Sequence, residues 1–343
     1  METVLGFARP QQRCEVHEVS QVAAARRAAT DLATALGFDE TATGEAALLV
    51  TEAATNILKH GSHGEILLRA VRRGGQDGLE IVALDHGPGI SNLARSMEDG
   101  TSGAGTYGIG LGAMQRLSHE FDIYSAPGKG TVVHLLAWPG QAPPDQDVLQ
   151  MGAVCLPMAG ETVCGDAWSL ACGPTRATVL VADGLGHGPD AARASEAAGE
   201  VLQRCAAHPP ATIIDDAHAA LRATRGAAVA VAQIDTHDEE LRFAGIGNIA
   251  AHLYNGNGIE RKQLVSHNGI VGSNVRKIQE FVVPWQPGAL LILHSDGLAT
   301  RWDLDAYPGL LSCHPALVAA VLYRDFCRRR DDVTVLVLRD RQA

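Results

Sequence analysis

The sequence predicts an α+β protein of two domains, in which helices pack on mostly antiparallel sheets. Apolar runs of strand length recur along the chain, and segments with helical apolar spacing precede and interrupt them. One polar stretch with three prolines, Trp138-Pro-Gly-Gln-Ala-Pro-Pro-Asp-Gln-Asp147, divides the 343 residues. It leaves residues 1–137 and 150–343 as domains and 138–149 as a linker. Each part falls near the usual domain size of roughly 100–200 residues.

In the first part, Val22, Ala25, Ala29, Leu32 and Leu36 mark a helix over Ser20–Leu36. A second helix runs from about Thr43 to His60, where Gly61 is placed to end it. Strands follow at Glu65–Val71, Leu79–Leu84, Phe121–Ser125 and Thr131–Ala137. In the second part, strands are expected at Thr178–Ala182, Ala227–Ile234, Ala289–His294 and Val333–Leu338. Helices are expected at Pro189–Cys205 and Pro315–Cys327.

Composition narrows the function classes. A formal net charge of -11 argues against a nucleic-acid partner, because phosphate-binding surfaces are basic. The seven cysteines include no Cys-x-x-Cys pair, so neither zinc nor a disulfide framework is expected; small thiols in a reducing cytosol fit better. No leader-like segment and no long apolar window stands out, so the reading is cytoplasmic with no membrane partner.

Three N-terminal segments carry chemistry. Glu52, Asn56 and His60 lie four apart and share one helical face, which suits activating a hydroxyl and holding a cation. Alone, the triplet reads more readily as a solvated polar face. Asp85-His-Gly87-Pro-Gly89 follows the apolar run Ile81–Leu84; its carboxylate can accept from an exocyclic amine while the glycines let a flat ring approach. Alone, it is as readily a turn. Gly103-Ala-Gly105-Thr-Tyr-Gly108-Ile-Gly110-Leu-Gly112 is a glycine-rich loop entering a helix, a natural anion site. Residues Ser96–Gly100 before it are no strand, which excludes a dinucleotide fold, and no Walker Gly-Lys-Ser/Thr occurs.

In this order, the three segments resemble the GHKL ATPase/kinase superfamily over about residues 15–137. Within it they are most similar to the serine kinases of bacterial sigma-factor partner switching, as in the stressosome. Met97-Glu-Asp-Gly100, Gly110–Leu117 and Gly128-Lys-Gly130-Thr131 extend the resemblance. It implies a Bergerat α/β two-layer sandwich that binds ATP and Mg²⁺. Asn56 would hold the magnesium, and Glu52 would be general base for the acceptor serine. Asp85, with Gly87 and Gly89, would recognise adenine. Gly108, Gly110 and Gly112 would hold the phosphates under a lid over about 91–107, and Thr131 would close the site.

The second part carries four acidic segments: Gly165-Asp166, Ala182-Asp183-Gly184-Leu-Gly-His187-Gly188, Ser295-Asp296-Gly297 and Asp331-Asp332-Val-Thr334. Asp183 and Asp296 each follow an apolar strand, and Asp331 precedes one. Carboxylates at the strand ends of one sandwich can converge, and unpaired they repel, so a divalent cation is their natural partner. Each Asp-Gly alone reads as a turn.

Together with Ala244-Gly-Ile-Gly-Asn248 and Asn268-Gly-Ile-Val-Gly272, the set resembles the SpoIIE-like branch of the PPM (type 2C) phosphatases over about 150–339. This implies an αββα sandwich holding two Mn²⁺ or Mg²⁺ ions. Asp183 would be the catalytic bridging ligand, with the Gly184 carbonyl, Asp296, Asp331 and Asp166 as further ligands and Asp332 outside the ligand set. His187 would either assist proton transfer or be structural.

The two resemblances imply a bifunctional partner-switching regulator. One half would phosphorylate a STAS-domain phosphoprotein and the other would dephosphorylate it, with a sigma factor or other regulator downstream and a homodimer permitted. The alternative is a nucleotide-binding module that sequesters a partner and controls the phosphatase without transferring phosphate.

Overall fold

The computed structural model describes residues 4–7, 10–97, 110–145, 147–255 and 260–341. In chain order the elements begin with β1 (Val4–Phe7), β2 (Gln12–Val16), α1 (Val19–Ala35), α2 (Glu40–His60), β3 (Gly64–Arg73), β4 (Gln76–Asp85) and α3 (Leu93–Met97). Then come α4 (Gly110–Leu117), β5 (Glu120–Ser125), β6 (Thr131–Ala137), β7 (Leu149–Leu156), β8 (Asp166–Cys172), β9 (Arg176–Gly184), α5 (Pro189–Cys205) and α6 (Pro210–Ala220). They continue with β10 (Ala227–Asp235), β11 (Glu240–Ile246), β12 (Ala250–Asn255), β13 (Glu260–Leu264), β14 (Gly269–Ile270) and β15 (Asn274–Val275). The last are β16 (Glu280–Pro284), β17 (Leu290–His294), α7 (Pro315–Phe326) and β18 (Val333–Asp340).

The chain forms two compact units. One holds residues 10–145 and the segment Asp303–Arg324; the other holds β1, residues 147–302 and residues 325–341. Sequence expectation placed the division at the linker alone. Two pieces depart from that. β1 pairs antiparallel with β8 across Val4↔Cys172 to Phe7↔Ser169, and Asp303–Arg324 joins the N-terminal unit. The helix expected at Pro315–Cys327 is α7, and every residue from Pro315 to Arg324 in it is buried.

The N-terminal unit is a helix layer on an antiparallel sheet ordered β2-β3-β4-β6-β5. Ala25, Ala29 and Ala33 line one stripe of α1 and are fully buried, and such small side chains let α1 lie close to α2. A capping box between Glu18 and Gln21 starts α1, and Asp39 accepts from the Ala42 amide to start α2. Lys59 and His60 suit the last turn, and Gly61 is the C-cap. The core joins these helices to Ile66, Leu68, Ile81, Val133 and Leu135 on one face of the sheet.

The other unit is a sandwich of two antiparallel sheets, β1-β8-β9-β10-β11-β16 and β13-β12-β17-β18-β7. Within β9, Val179–Ala182 is a continuous apolar run because both faces of the strand are covered there. Val179 and Val181 enter the core shared with Leu291, Leu293 and Leu336, while Leu180 and Ala182 pack under α5 and α6. This is the αββα class, and its strand ends deliver the acidic residues.

Candidate nucleotide and metal sites

In the N-terminal unit, the α2 face carrying Glu52 and Asn56 meets the first turn of α4. A Cβ added to Gly110 would lie 3.2 Å from Asn56 Nδ2 and 3.4 Å from Glu52 Oε2. A larger residue would therefore fill the space between the helix start and the two polar groups. Gly112, two residues on, is buried. Gly108 and lid residues 98–107 lie outside the described residues.

Asp85 ends β4, half-buried. Its Oδ1 accepts from the amides of Gly87 (2.7 Å) and Thr131 (3.2 Å). Burial nevertheless raises its pKa above the usual carboxylate value. Gly87 has no room for a side chain, since a Cβ would fall 2.4 Å from the His60 carbonyl oxygen. Gly89 has φ +73° and would place a Cβ 2.0 Å from the Ala126 carbonyl. The structure thus brings together Asp85, Gly87 and Thr131, and separately Glu52, Asn56 and Gly110. His60 contributes its backbone to the first group.

In the sandwich unit, Asp166 at the start of β8 stands directly opposite Asp183 near the end of β9. Asp166 is 4% exposed, and its Oδ2 is buried with no hydrogen-bond partner among the described residues. Burial, then the charge of Asp183, push its pKa well above the carboxylate range. Asp183 is pushed to about 7 by burial and by Asp296 and Asp331. Asp331 is raised too, by burial and by Asp296. Repelling acids around an orphaned buried carboxylate oxygen fit a site for divalent cations.

Backbone geometry holds this cluster tightly. Gly184 donates its amide to the Gly165 carbonyl at 3.1 Å, and a Cβ on Gly184 would lie 2.1 Å from the Ala191 carbonyl of α5. Asp332 spends its carboxylate on the amides of Met158 (2.8 Å) and Gly165 (2.9 Å). It therefore anchors the loop that delivers Asp166, while Asp331 points its charge at the cluster. His187 is exposed, with Nδ1 2.8 Å from Glu161 Oε1.

Asn248 is the residue that sequence reasoning passed over. Its Nδ2 donates to Asp296 Oδ2 at 2.7 Å, and it also hydrogen-bonds Asp183. Its segment, Ala244-Gly-Ile-Gly-Asn248, was part of the resemblance, but no role followed for Asn248 itself. Ser295 is a second such residue: it hydrogen-bonds the Asp166 side chain and takes the Thr334 amide on Oγ.

A glycine-lined helix start facing Glu52 and Asn56, in a chain that also carries an aspartate-lined sandwich, defines a fusion of a GHKL-type kinase domain with a PPM phosphatase domain. Residues 16–136 match the family described as Histidine kinase-like ATPase domain, and residues 173–341 match Stage II sporulation protein E (SpoIIE). The chain is 36% identical over 117 residues to Serine/threonine-protein kinase RsbT of Bacillus subtilis (strain 168), covering 34% of this chain and 88% of that protein. By that match the chain belongs, in its N-terminal half, to the RsbT family of serine/threonine-protein kinases.

Phosphoserine phosphatase RsbX of the same organism is 25% identical over 139 residues, 40% of this chain and 69% of that protein. A solved structure from work on the bacterial stressosome, a modular system adapted to control secondary messenger signaling, superposes with TM-score 0.51 at 31% identity. It covers 56% of this chain and 99% of its own. The chain is accordingly an enzyme and a partner-switching regulator with kinase-like and phosphatase parts. No helix among the described residues is long and apolar enough to cross a membrane.

Proposed function

We propose that the two halves perform opposed reactions on a serine or threonine of a STAS-domain protein. In the sandwich unit, Asp166, Asp183, the Gly184 carbonyl, Asp296 and Asp331 hold two divalent cations, Mn²⁺ or Mg²⁺. Bound there, the cations supply charge neutralisation and an activated water for attack on phosphorus. Asn248 orients Asp183 and Asp296, and Asp332 fixes the loop carrying Asp166.

In the N-terminal unit, Asp85 accepts from the adenine amine, with Gly87, Gly89 and Thr131 shaping its wall. Asn56 holds the magnesium of ATP, the start of α4 at Gly110 and Gly112 receives the phosphates with Gly108, and Glu52 accepts the proton of the acceptor hydroxyl. A sigma factor or other regulator downstream of the STAS protein, and a homodimer, belong to the same proposal.

The observation that carries the reading is the facing pair Asp166 and Asp183, both raised in pKa, with a buried Asp166 carboxylate oxygen left over. Mn²⁺-dependent release of phosphate from a phosphoserine STAS protein tests it. Activity that needs neither Mn²⁺ nor Mg²⁺ would overturn the metal assignment. The similarity to the RsbT kinase favours phosphoryl transfer in the N-terminal half over mere sequestration of a partner.

A further inference from the structure

A helix layer on one sheet normally leaves the sheet's second face to water. Here both faces are buried. Opposite the core-facing Ile66, Ile81 and Val133, the second face presents Leu67, Arg69, Glu80, Val82, Leu84 and His134, each at most 3% exposed. The segment Asp303–Arg324 packs over it within the same unit.

Its contacts are specific. Tyr323 donates its hydroxyl to Glu65 Oε2 at 2.7 Å, and the His314 amide donates to Asp122 Oδ2 at 2.7 Å. The His314 ring stacks on His134 with centroids 4.3 Å apart and planes within 10°. Lys129 Nζ lies 4.6 Å above the Tyr307 ring.

Arg324 is the contact that reaches the nucleotide site. Its side chain is buried, and Nη1 donates to the Asp85 backbone carbonyl at 3.0 Å. The same Nη1 lies 2.9 Å from where a Cβ on Gly130 would sit, and Gly130 has φ +67°. Asp85 is thus fixed twice. Arg324 holds its carbonyl, and the Gly87 and Thr131 amides hold its carboxylate. The guanidinium charge also opposes the burial that raises the Asp85 pKa.

Both ends of this segment are rooted beside the metal cluster. In the sandwich unit, Leu298 bridges to Cys327, the Ala299 amide donates to the Phe326 carbonyl at 2.9 Å, and the Arg328 amide donates to the Gly297 carbonyl at 2.8 Å. Gly297 follows Asp296, and a Cβ on it would lie 2.0 Å from the Asp332 carbonyl. The stretch of chain that leaves Asp296 and returns to Asp331 therefore carries the arginine that holds Asp85.

We propose that Arg324 is a positioning residue of the nucleotide site, and that through its segment nucleotide binding at Asp85 and metal binding at Asp296 and Asp331 are thermodynamically linked. This rests on the site reading given under Proposed function. Linkage of this kind is reciprocal, so a change at the metal site must alter nucleotide affinity by the factor with which nucleotide alters metal affinity.

The test is a double-mutant cycle on the full chain, reading the dissociation constant of ADP by calorimetry at one fixed free Mn²⁺ concentration. Arg324→Met is expected to weaken ADP at least about fivefold, and Arg324→Lys, which keeps the charge and a donor, to recover part of the loss. Asp183→Asn is expected to change ADP affinity at least about threefold in the parent, and by less in the Arg324→Met background. If Arg324→Met does not fold, the cycle runs with Arg324→Lys. Unchanged ADP affinity in the arginine variants, or effects of Asp183→Asn and Arg324 substitution that simply multiply, would overturn the linkage. Asp85→Asn separates the two levels: ADP binding that ignores this substitution removes the site reading itself and the linkage with it.

Discussion

Asp166 and Asp183 face each other as cross-strand neighbours on β8 and β9, a buried acid and a partly buried one at one register position. Like charges directly opposite on a sheet destabilise it. The pair is tolerable when protonated or when cations sit beside it.

Removing one of these charges has opposite effects with and without metal. In metal-free protein the Asp183 pKa is raised to about 7, so ionising it costs stability as pH climbs from 3.8 through 7. Asp183→Asn relieves that cost, and the metal-free melting temperature at pH 8 should rise by about 2–4 °C. The further rise on adding Mn²⁺, seen in the parent by thermal scanning, should vanish together with Mn²⁺-dependent phosphatase activity.

Asp332→Ala should weaken metal binding without removing a ligand. It strands the amides that Asp332 now accepts from, the buried Gly165 amide at about 1–3 kcal/mol and the part-buried Met158 amide at less. Mn²⁺ affinity should fall roughly 10–100-fold, as for other groups that orient ligands, with activity regained at high Mn²⁺. A titration of phosphatase rate against Mn²⁺ measures this.

Glu52 and Asn56 separate by their roles. Glu52→Gln should keep nucleotide binding while slowing phosphoryl transfer by about 10²–10⁴, the usual worth of a general base. Asn56→Ala should abolish transfer altogether. Calorimetry for binding and labelled ATP for transfer distinguish the two.

Acid sensitivity of the N-terminal unit traces to a buried trio. Glu80 lies 2.6 Å from Arg69 and 3.1 Å from His134. Against burial, which would raise it, the Arg69 charge and the His134 hydrogen bond bring its pKa from 4.5 down to about 2. A depressed carboxylate contributes stability that is full above 4.5 and is lost as pH falls toward 2. Glu80→Gln should cost about 3–5 kcal/mol at neutral pH, because the buried Arg69 loses the Glu80 charge, and should flatten the loss between pH 4.5 and 2. Urea unfolding across that range reports both.

Much of this was legible in sequence, for identifiable reasons. The helix from Val19 and the one ending at His60 followed from apolar spacing and from Gly61, and the strand cores of β3, β4, β6, β9, β10, β17 and β18 from their apolar runs. The expected start of α2 at Thr43 came late because Asp39 caps a polar first turn that carries no apolar period. The strand β1 was invisible, since four residues have no periodicity until β8 supplies a partner. The acidic residues could be named from their motifs, but the facing of Asp166 and Asp183 is a register fact that only pairing reveals. Asn248 and Arg324 lay beyond reach for the same reason: each acts on a residue far away in sequence.

The most direct test of two opposed activities in one chain is a time course of labelled phosphate on a STAS-domain protein incubated with [γ-³²P]ATP, Mg²⁺ and Mn²⁺. With the parent chain, label should settle at a low level. With Asp183→Asn it should accumulate toward full occupancy, and with Asn56→Ala none should appear. Equal labelling by the parent and the Asp183→Asn chain would contradict the phosphatase assignment, and labelling that survives Asn56→Ala would contradict the kinase.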